Sequence, residues 1–441
     1  MKLLEYCRNL AFWSIDVLHG RKVCKALDII RKCDDGSWTL DQIREYQQKA
    51  VRKLLLHSQN TVPYYKKQSG VDLYTWPVVT KTTIKTNQED FLSSQYRKED
   101  LVVMSTSGST GTPFRSYQDI GKKRHVNAEV IYYNGLAGYS VGKKIIYFRS
   151  IVEEVEKSKL TQFLQNITLL DCNDLSDYGI SEKLRQIKQI TRHGEALILS
   201  YASTLDAFKI YFQKHGYKEA RECHIYGIVS GSEMLQDMTR SALKEAFHCK
   251  VVSRYANEEN GFLGQDDKIN NVFIPNQANY IFEILKFNSD DPANDGEVGR
   301  IVVTDLYNYA MPMIRYDTGD VGAWVDVEYS GRTVRALGKF GGRAVDMIFD
   351  FAGNQISPFA ITNMMWKCQQ LKQYQFIQTG QSSYIMRLNV EGNCFSEQSL
   401  LDDLQSIVGA DAAISIEYTN EIPVLASGKR QYIVNQMKLR L

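Results

Sequence analysis

A chain of 441 residues is long for a single domain, and 44% hydrophobic with 24% charged residues is an ordinary globular composition that can bury a sizeable core. The formal net charge of +2, with no long basic run, supplies no bulk attraction for nucleic acid and excludes that partner class as an expectation. Eight cysteines are scattered without a C-x-x-C pair, which argues against a zinc ribbon or redox motif and for a reducing, cytoplasmic setting.

In chain order, the first apolar run is Leu10 to Leu18, interrupted by Asp16 and too short to span a bilayer. It reads as an amphipathic helix packed on the body, with a membrane-surface anchor as the alternative. Residues 40–70 show helical spacing through Ile43, Tyr46, Ala50, Leu54 and Leu55, ending in a turn near Asn60 to Pro63. Leu101 to Met104 reads as a strand, and Asp119 to Ala137 as a helix. Strand and helix patterns then alternate: strands at Lys144 to Phe148, Ile167 to Leu170, Ala196 to Leu199, His224 to Val229 and Lys250 to Arg254, with helices at Tyr178 to Arg192, Ser203 to His215 and Leu235 to Phe247. Ser203 is expected to cap its helix and Gly216 to end it. This rhythm predicts an α/β domain with parallel strands.

From Phe273 to Trp324 the pattern becomes strands punctuated by Gly, Asp, Asn and Pro, as in a β-subdomain. From Asp346 onward it changes again: a Gly353-Asn354 turn, a helix over Pro358 to Trp366, two strands, a helix over Ser396 to Val408, a strand over Ala413 to Tyr418 and a polar tail. The predicted architecture is a large domain over residues 1–345 with a small α+β domain over 346–441.

The chemistry-bearing residues sit in the connections. Ser107-Gly108-Ser109-Thr110-Gly111-Thr112-Pro113 packs four hydroxyls and two glycines into seven residues after the first predicted strand. Such a loop turns backbone N–H groups and hydroxyls toward one small volume, which suits phosphate oxygens. It lacks the Walker spacing. Gly231-Ser232-Glu233 and Tyr255-Ala256-Asn257-Glu258-Glu259 each follow a strand, at the carboxyl ends where open α/β sheets bind ligands. Arg315-Tyr316-Asp317-Thr318-Gly319-Asp320 reads as a polar turn, Gly341-Gly342-Arg343 precedes the change of pattern, and Ser427-Gly428-Lys429 lies near the end.

Taken in this order, the segments resemble the adenylate-forming superfamily of acyl- and aryl-coenzyme A ligases. Within it they are most similar to the phenylacetate–coenzyme A ligase branch and its capsular-polysaccharide (CapK-like) relatives. Val62-Pro63-Tyr64-Tyr65 and Trp76-Pro77-Val78-Val79-Thr80-Lys81 resemble the opening signatures of that branch. The resemblance implies an ATP-dependent enzyme that joins a small carboxylic acid to AMP and then passes the acyl group to coenzyme A or to a sugar or amine acceptor.

It also implies residue roles. Ser107 to Thr112 would hold the β- and γ-phosphates, and Glu259 or its neighbour Glu258 would bind Mg²⁺. Gly231, Ser232 and Glu233 with Tyr255, Ala256 and Asn257 would form the adenine slot. Asp320 would accept from the ribose hydroxyls, Arg343 would sit near the ribose and α-phosphate, and Lys429 would reach the reacting oxygens. The small domain would be mobile about a hinge at Asp346. Gly264 to Ile269 offers no thiol or imidazole where some relatives hold zinc, so no structural zinc is expected. A catalytically idle nucleotide-binding or scaffold protein that keeps the fold is the alternative reading.

Overall fold

The computed structural model describes residues 2–106, 114–149, 158–172, 174–343, 348–353, 355–356, 361, 364–365, 371–390, 396–423 and 431–437. They fall into two compact units. One comprises Met1–Lys144, Leu164–Asn166 and Val252–Gly338; the other comprises Ile145–Phe163, Ile167–Val251 and Lys339–Leu441.

The first unit opens on helices Lys2–Leu18, Lys22–Asp34 and Leu40–Thr61. The third begins at a capping box: the Thr39 hydroxyl accepts from Gln42 N, and the Gln42 side chain accepts from Thr39 N at 2.9 Å. Strands Val102–Thr106 and Phe114–Gln118 form an antiparallel hairpin, so the Ser/Thr/Gly loop leaves and returns through the paired residues Thr106 and Phe114. Helix Ile120–Gly135 follows, capped by buried Asp119, which accepts from Lys122 N through one oxygen and from Tyr309 N through the other. It packs against helix Lys22–Asp34 over a core that includes Val23, Ile30, Ala128, Tyr133 and Phe262. The β-rich pattern predicted after Phe273 is realised by strands Val272–Pro275, Tyr280–Leu285, Gly299–Asp305, Tyr316–Tyr329 and Arg332–Arg343, with Gly261–Asp267 before them.

In the second unit, strands Ile225–Gly231, Ala196–Tyr201, Lys144–Arg149 and Ile167–Asp171 are neighbours in that order. The outer two pairings are parallel. Helices Asp177–Thr191, Ala202–His215 and Asp237–Phe247 share a core with them through Ile146, Phe148, Leu184, Ile198, Phe208 and Leu243. This is the predicted α/β alternation. Near the carboxyl end, strands Ala413–Tyr418, Ser383–Val390, Leu371–Gly380 and Ile433–Asn435 form a four-stranded sheet in that order. Helix Glu397–Val408 buries Leu400, Leu404 and Val408 in the same core as Phe376 and Leu388. Most of the helix expected over Pro358 to Trp366 lies outside the described residues.

Three local expectations are corrected. Ser203 lies inside the first turn of helix Ala202–His215, whose N-cap is Tyr201, so its hydroxyl is not the cap. Tyr255, Ala256 and Asn257 belong to strand Lys250–Asn257 itself, which pairs antiparallel with Gly261–Asp267, and only Glu258 to Asn260 turn. The segment ending at Asp320 is a bulge in strand Tyr316–Tyr329 rather than a turn: Val302 pairs Asp317 and Arg300 pairs Val321, which leaves Thr318, Gly319 and Asp320 opposite Ile301.

Candidate active site

The bulge is closed by its own side chains. The Thr318 hydroxyl donates to Ile301 O at 2.9 Å and accepts from Asp320 N at 3.1 Å. Asp317 accepts from Gly319 N at 2.9 Å, and its other oxygen meets Arg300 at 2.8 Å. Gly319 adopts φ 76°, a left-handed geometry that a side chain would resist. The outcome is a fixed backbone at Asp320. The buried Tyr255 hydroxyl then donates to Asp320 Oδ2 at 2.8 Å. Burial first, and the Asp320 charge second, push this phenol well above its ordinary range, so it stays a donor.

A second phenol runs the other way. Tyr316, at the start of the bulged strand, donates to Glu259 Oε1 at 3.1 Å. Glu259 sits in the turn that follows the Tyr255 strand and is buried, whereas Glu258 beside it is exposed. Each segment therefore gives a phenol to the carboxylate of the other. Lys81 Nζ lies 3.5 Å from the same Glu259 oxygen and 5.0 Å from the ring centre of Phe114, the residue that resumes the chain after the Ser/Thr/Gly loop. Gln118 Nε2 donates to Glu259 O at 2.9 Å. Burial, and next the Glu259 charge, raise the Tyr316 phenol well above its usual range.

The turn rests on a buried polar network. Asn260 N donates to Asn257 Oδ1 at 2.8 Å, and the Tyr280 hydroxyl lies 2.7 Å from Asn260 O and 2.9 Å from Glu129 Oε1. Glu129 also accepts from Phe262 N at 2.9 Å and Asn279 Nδ2 at 2.6 Å. Gly261, at φ 117°, is required there, because a Cβ would stand 2.6 Å from Glu129 Oε2. Lys122, wholly buried, bridges Asp305 at 2.7 Å and the Tyr280 hydroxyl at 2.9 Å. Burial raises the Glu129 carboxyl, and the Lys122 charge opposes that rise.

Arg315 joins this assembly to the Trp76 to Lys81 segment. Its guanidinium takes Glu283 through two nitrogens, at 3.0 and 2.8 Å, and donates to Trp76 O at 2.8 Å. Val79 N donates to Arg315 O at 3.0 Å, and Asp317 N donates to Val79 O at 2.9 Å. The two signature segments are thus one structural piece, and they carry Lys81 and Tyr316 to Glu259. The sequence alone gives neither residue a place in the site; the signal for Lys81 is a lysine ending a Trp-Pro-x-x-Thr-Lys run.

The remaining candidates divide as follows. Gly231, Ser232 and Glu233 lie in the second unit at the end of strand Ile225–Gly231; Ser232 has φ 68°, and Glu233 Oε2 accepts from Ser203 N at 2.8 Å. Glu233 thereby supplies the acceptor at the helix start that Ser203 was expected to provide. Ser107 to Thr112 and Ser427 to Lys429 lie outside the described residues, as does the side chain of Arg343. In helix Ile120–Gly135, Tyr133 stacks on Phe262 at 4.9 Å and Tyr132 donates to Asp34 at 2.7 Å.

Residues 348–436 match the CapK C-terminal domain. Protein CapK of Staphylococcus aureus is 22% identical over 390 residues, spanning 85% of this chain and 82% of that protein. The similarity to CapK thus extends over most of the chain. A phenylacetate–coenzyme A ligase of Pseudomonas putida is 21% identical over 394 residues, covering 83% of this chain and 85% of that enzyme. Among solved structures, a 2-hydroxyisobutyryl-CoA ligase in the postadenylation state, in complex with R3-HIB-AMP, superposes with TM-score 0.70 at 14% identity over 90% of each chain. The chain accordingly has the fold of that ligase.

Proposed function

We propose that this protein is an AMP-forming, carboxylate-activating enzyme of the acid–thiol ligase kind. The observation that carries the proposal is the reciprocal pair of buried phenol–carboxylate hydrogen bonds, Tyr255 to Asp320 and Tyr316 to Glu259. They hold two carboxylates rigidly on the segments that the resemblance assigns to ribose and metal. The CapK and phenylacetate–coenzyme A ligase relatives support the same reading over most of the chain.

In the proposed reaction a carboxylate oxygen of the acid attacks the α-phosphorus of ATP and pyrophosphate leaves. An acceptor nucleophile then attacks the acyl carbon and AMP leaves. Asp320 accepts from the ribose hydroxyls, with Tyr255 fixing its orientation. The resemblance assigns the base to Gly231 to Glu233 and to Tyr255 to Asn257. Ser107 to Thr112 receive the phosphates, Arg343 sits by the ribose and α-phosphate, and Lys429 stabilises the charge that grows in the transition state. In this reading the segment from residue 346 onward carries Lys429, as the resemblance implies.

Mg²⁺ suits the donor set. No cluster of three or more metal-ligating side chains occurs among the described residues, and Mg²⁺ characteristically takes one or two carboxylates with the rest of its shell from phosphates and water. Glu259 is our choice over exposed Glu258, because its carboxylate is already oriented. When bound there, the ion would neutralise phosphate charge. Lys81 neutralises Glu259 and stands where phosphate oxygens would compete for it. Coenzyme A, or a sugar or amine in surface-polysaccharide synthesis, is the proposed acceptor.

The test is ATP–pyrophosphate exchange with the whole chain over a panel of aryl, fatty and amino acids, followed by trapping with thiol and amine acceptors. Acid-dependent exchange is expected for at least one class. ATP binding with no exchange for any acid would favour the idle-scaffold alternative.

A further inference from the structure

Helix Lys2–Leu18 is turned inside out. Its inward stripe, at helical spacing, is Glu5, Arg8, Asn9, Phe12, Trp13 and Asp16, in which four of six residues are polar. Asn9 donates to Val141 O at 3.0 Å. Asp16 is buried and accepts from Val23 N at 2.8 Å and Cys24 N at 3.0 Å, which caps the next helix. The outward face carries Leu3, Leu4, Tyr6, Leu10, Ile15 and Val17, with Leu18 at its end, all exposed; Leu3 is 75% and Leu18 83% accessible. A contiguous apolar face of this kind marks an interaction surface.

The charge around the face identifies what covers it. Exposed Lys2 lies at its amino end, half-buried Arg8 borders it, and exposed Arg21, Lys22 and Lys25 follow its carboxyl end. Between Lys2 and Lys25 the only carboxylates are Glu5 and Asp16, and neither is exposed. A second copy docked helix to helix would meet like charge in either orientation, because both ends are basic. An anionic lipid surface meets no such penalty: apolar side chains enter the headgroup–acyl boundary while basic ones reach the headgroups. We propose that this helix lies flat on an anionic bilayer and holds the protein there. It does not cross the bilayer, since none of the described helices is long and apolar enough.

The test is flotation of the full chain with phosphatidylcholine vesicles, with and without phosphatidylglycerol. Binding to the anionic vesicles is expected, weakened by salt. The triple variant Leu3→Ser/Leu10→Ser/Leu18→Ser should weaken it by about tenfold or more. The variant Arg21→Glu/Lys22→Glu should abolish the preference for phosphatidylglycerol. All five sites are exposed, so an unchanged thermal midpoint is expected to accompany both losses. Failure to float with anionic vesicles would overturn the proposal, as would equal flotation of the triple variant. Sedimentation velocity provides a third outcome against it: a concentration-dependent dimer that the triple variant dissolves, without vesicle binding, would make the face a self-association surface.

Discussion

Replacing Tyr255 by Phe removes one oxygen atom and nothing else from the candidate site. The ring remains beside Phe273, 6.5 Å between centroids, so the strand should keep its packing. What is lost is a 2.8 Å phenol-to-carboxylate hydrogen bond in a part-buried setting, with a longer 3.3 Å contact to the Thr318 hydroxyl. Hydrogen bonds to charged groups contribute about 1.5–3 kcal/mol. Part of the orientation of Asp320 survives, because its backbone is still pinned through Asp320 N to the Thr318 hydroxyl at 3.1 Å.

The expected cost to nucleotide binding is therefore about 1–2 kcal/mol, or roughly 5–30-fold in Kd. Titration calorimetry with ATP reads this directly and needs no knowledge of the acid. Because Asp320 would hold the ribose equally in ground and transition states, the exchange rate at saturating ATP should change little. Asp320→Ala is the companion variant and should lose binding more severely. An ATP Kd within about twofold of wild type for Tyr255→Phe, beside a large loss for Asp320→Ala, would show that the phenol does not position the carboxylate. Wild-type affinity in both variants would remove the ribose assignment altogether.

Lys429→Ala should slow adenylate formation by about 10²–10³ with ATP affinity nearly kept, as expected for a donor used mainly in the transition state; an unchanged pyrophosphate-exchange rate would exclude the lysine from the chemistry. Arg315→Met leaves Glu283 buried without its bidentate partner, so chemical denaturation should show a loss of about 3–5 kcal/mol. The double variant Arg315→Met/Glu283→Leu should recover a large share of it, and no recovery would count against an electrostatic cause. Burial, aided by the Lys122 charge, pushes His125 down from 6.5 to about 4, while Asn279 opposes the shift. The unfolded chain thus binds the extra proton between those pH values, and stability should fall as pH drops from 6.5 toward 4, by about 3 kcal/mol, flattening below. His125→Gln should flatten this part of the pH–stability curve; an unaltered slope would refute the assignment.

Much of the fold was legible in the sequence, because long periodic segments report their own geometry. The helices at 40–61, 120–135 and 177–191 and the strand–helix alternation up to residue 257 follow from apolar spacing and turn residues. Short-range capping was less legible. Ser203 has the right chemistry for an N-cap, but Glu233, thirty positions away, supplies the acceptor. The Thr318-Gly319-Asp320 segment read as a turn because its composition suits one. It is a bulge because strand Gly299–Asp305 pairs on both sides of it.

The sequence by itself determined the order of the motifs, the classes of the elements and the residue types available for nucleotide chemistry, since each of these is a property of neighbours along the chain. It could not separate Glu258 from Glu259, which are adjacent and identical in type. Tertiary structure separated them by burying one beneath Tyr316 and beside Lys81 and leaving the other exposed. Likewise the polarity of residues 2–18 defined two helical faces, but only packing determined that the more polar one turns inward, where Asp16 serves the next helix. In each case the reason is the same: periodicity records which side chains share a face, whereas the partner of that face is chosen by contacts between segments far apart in the chain.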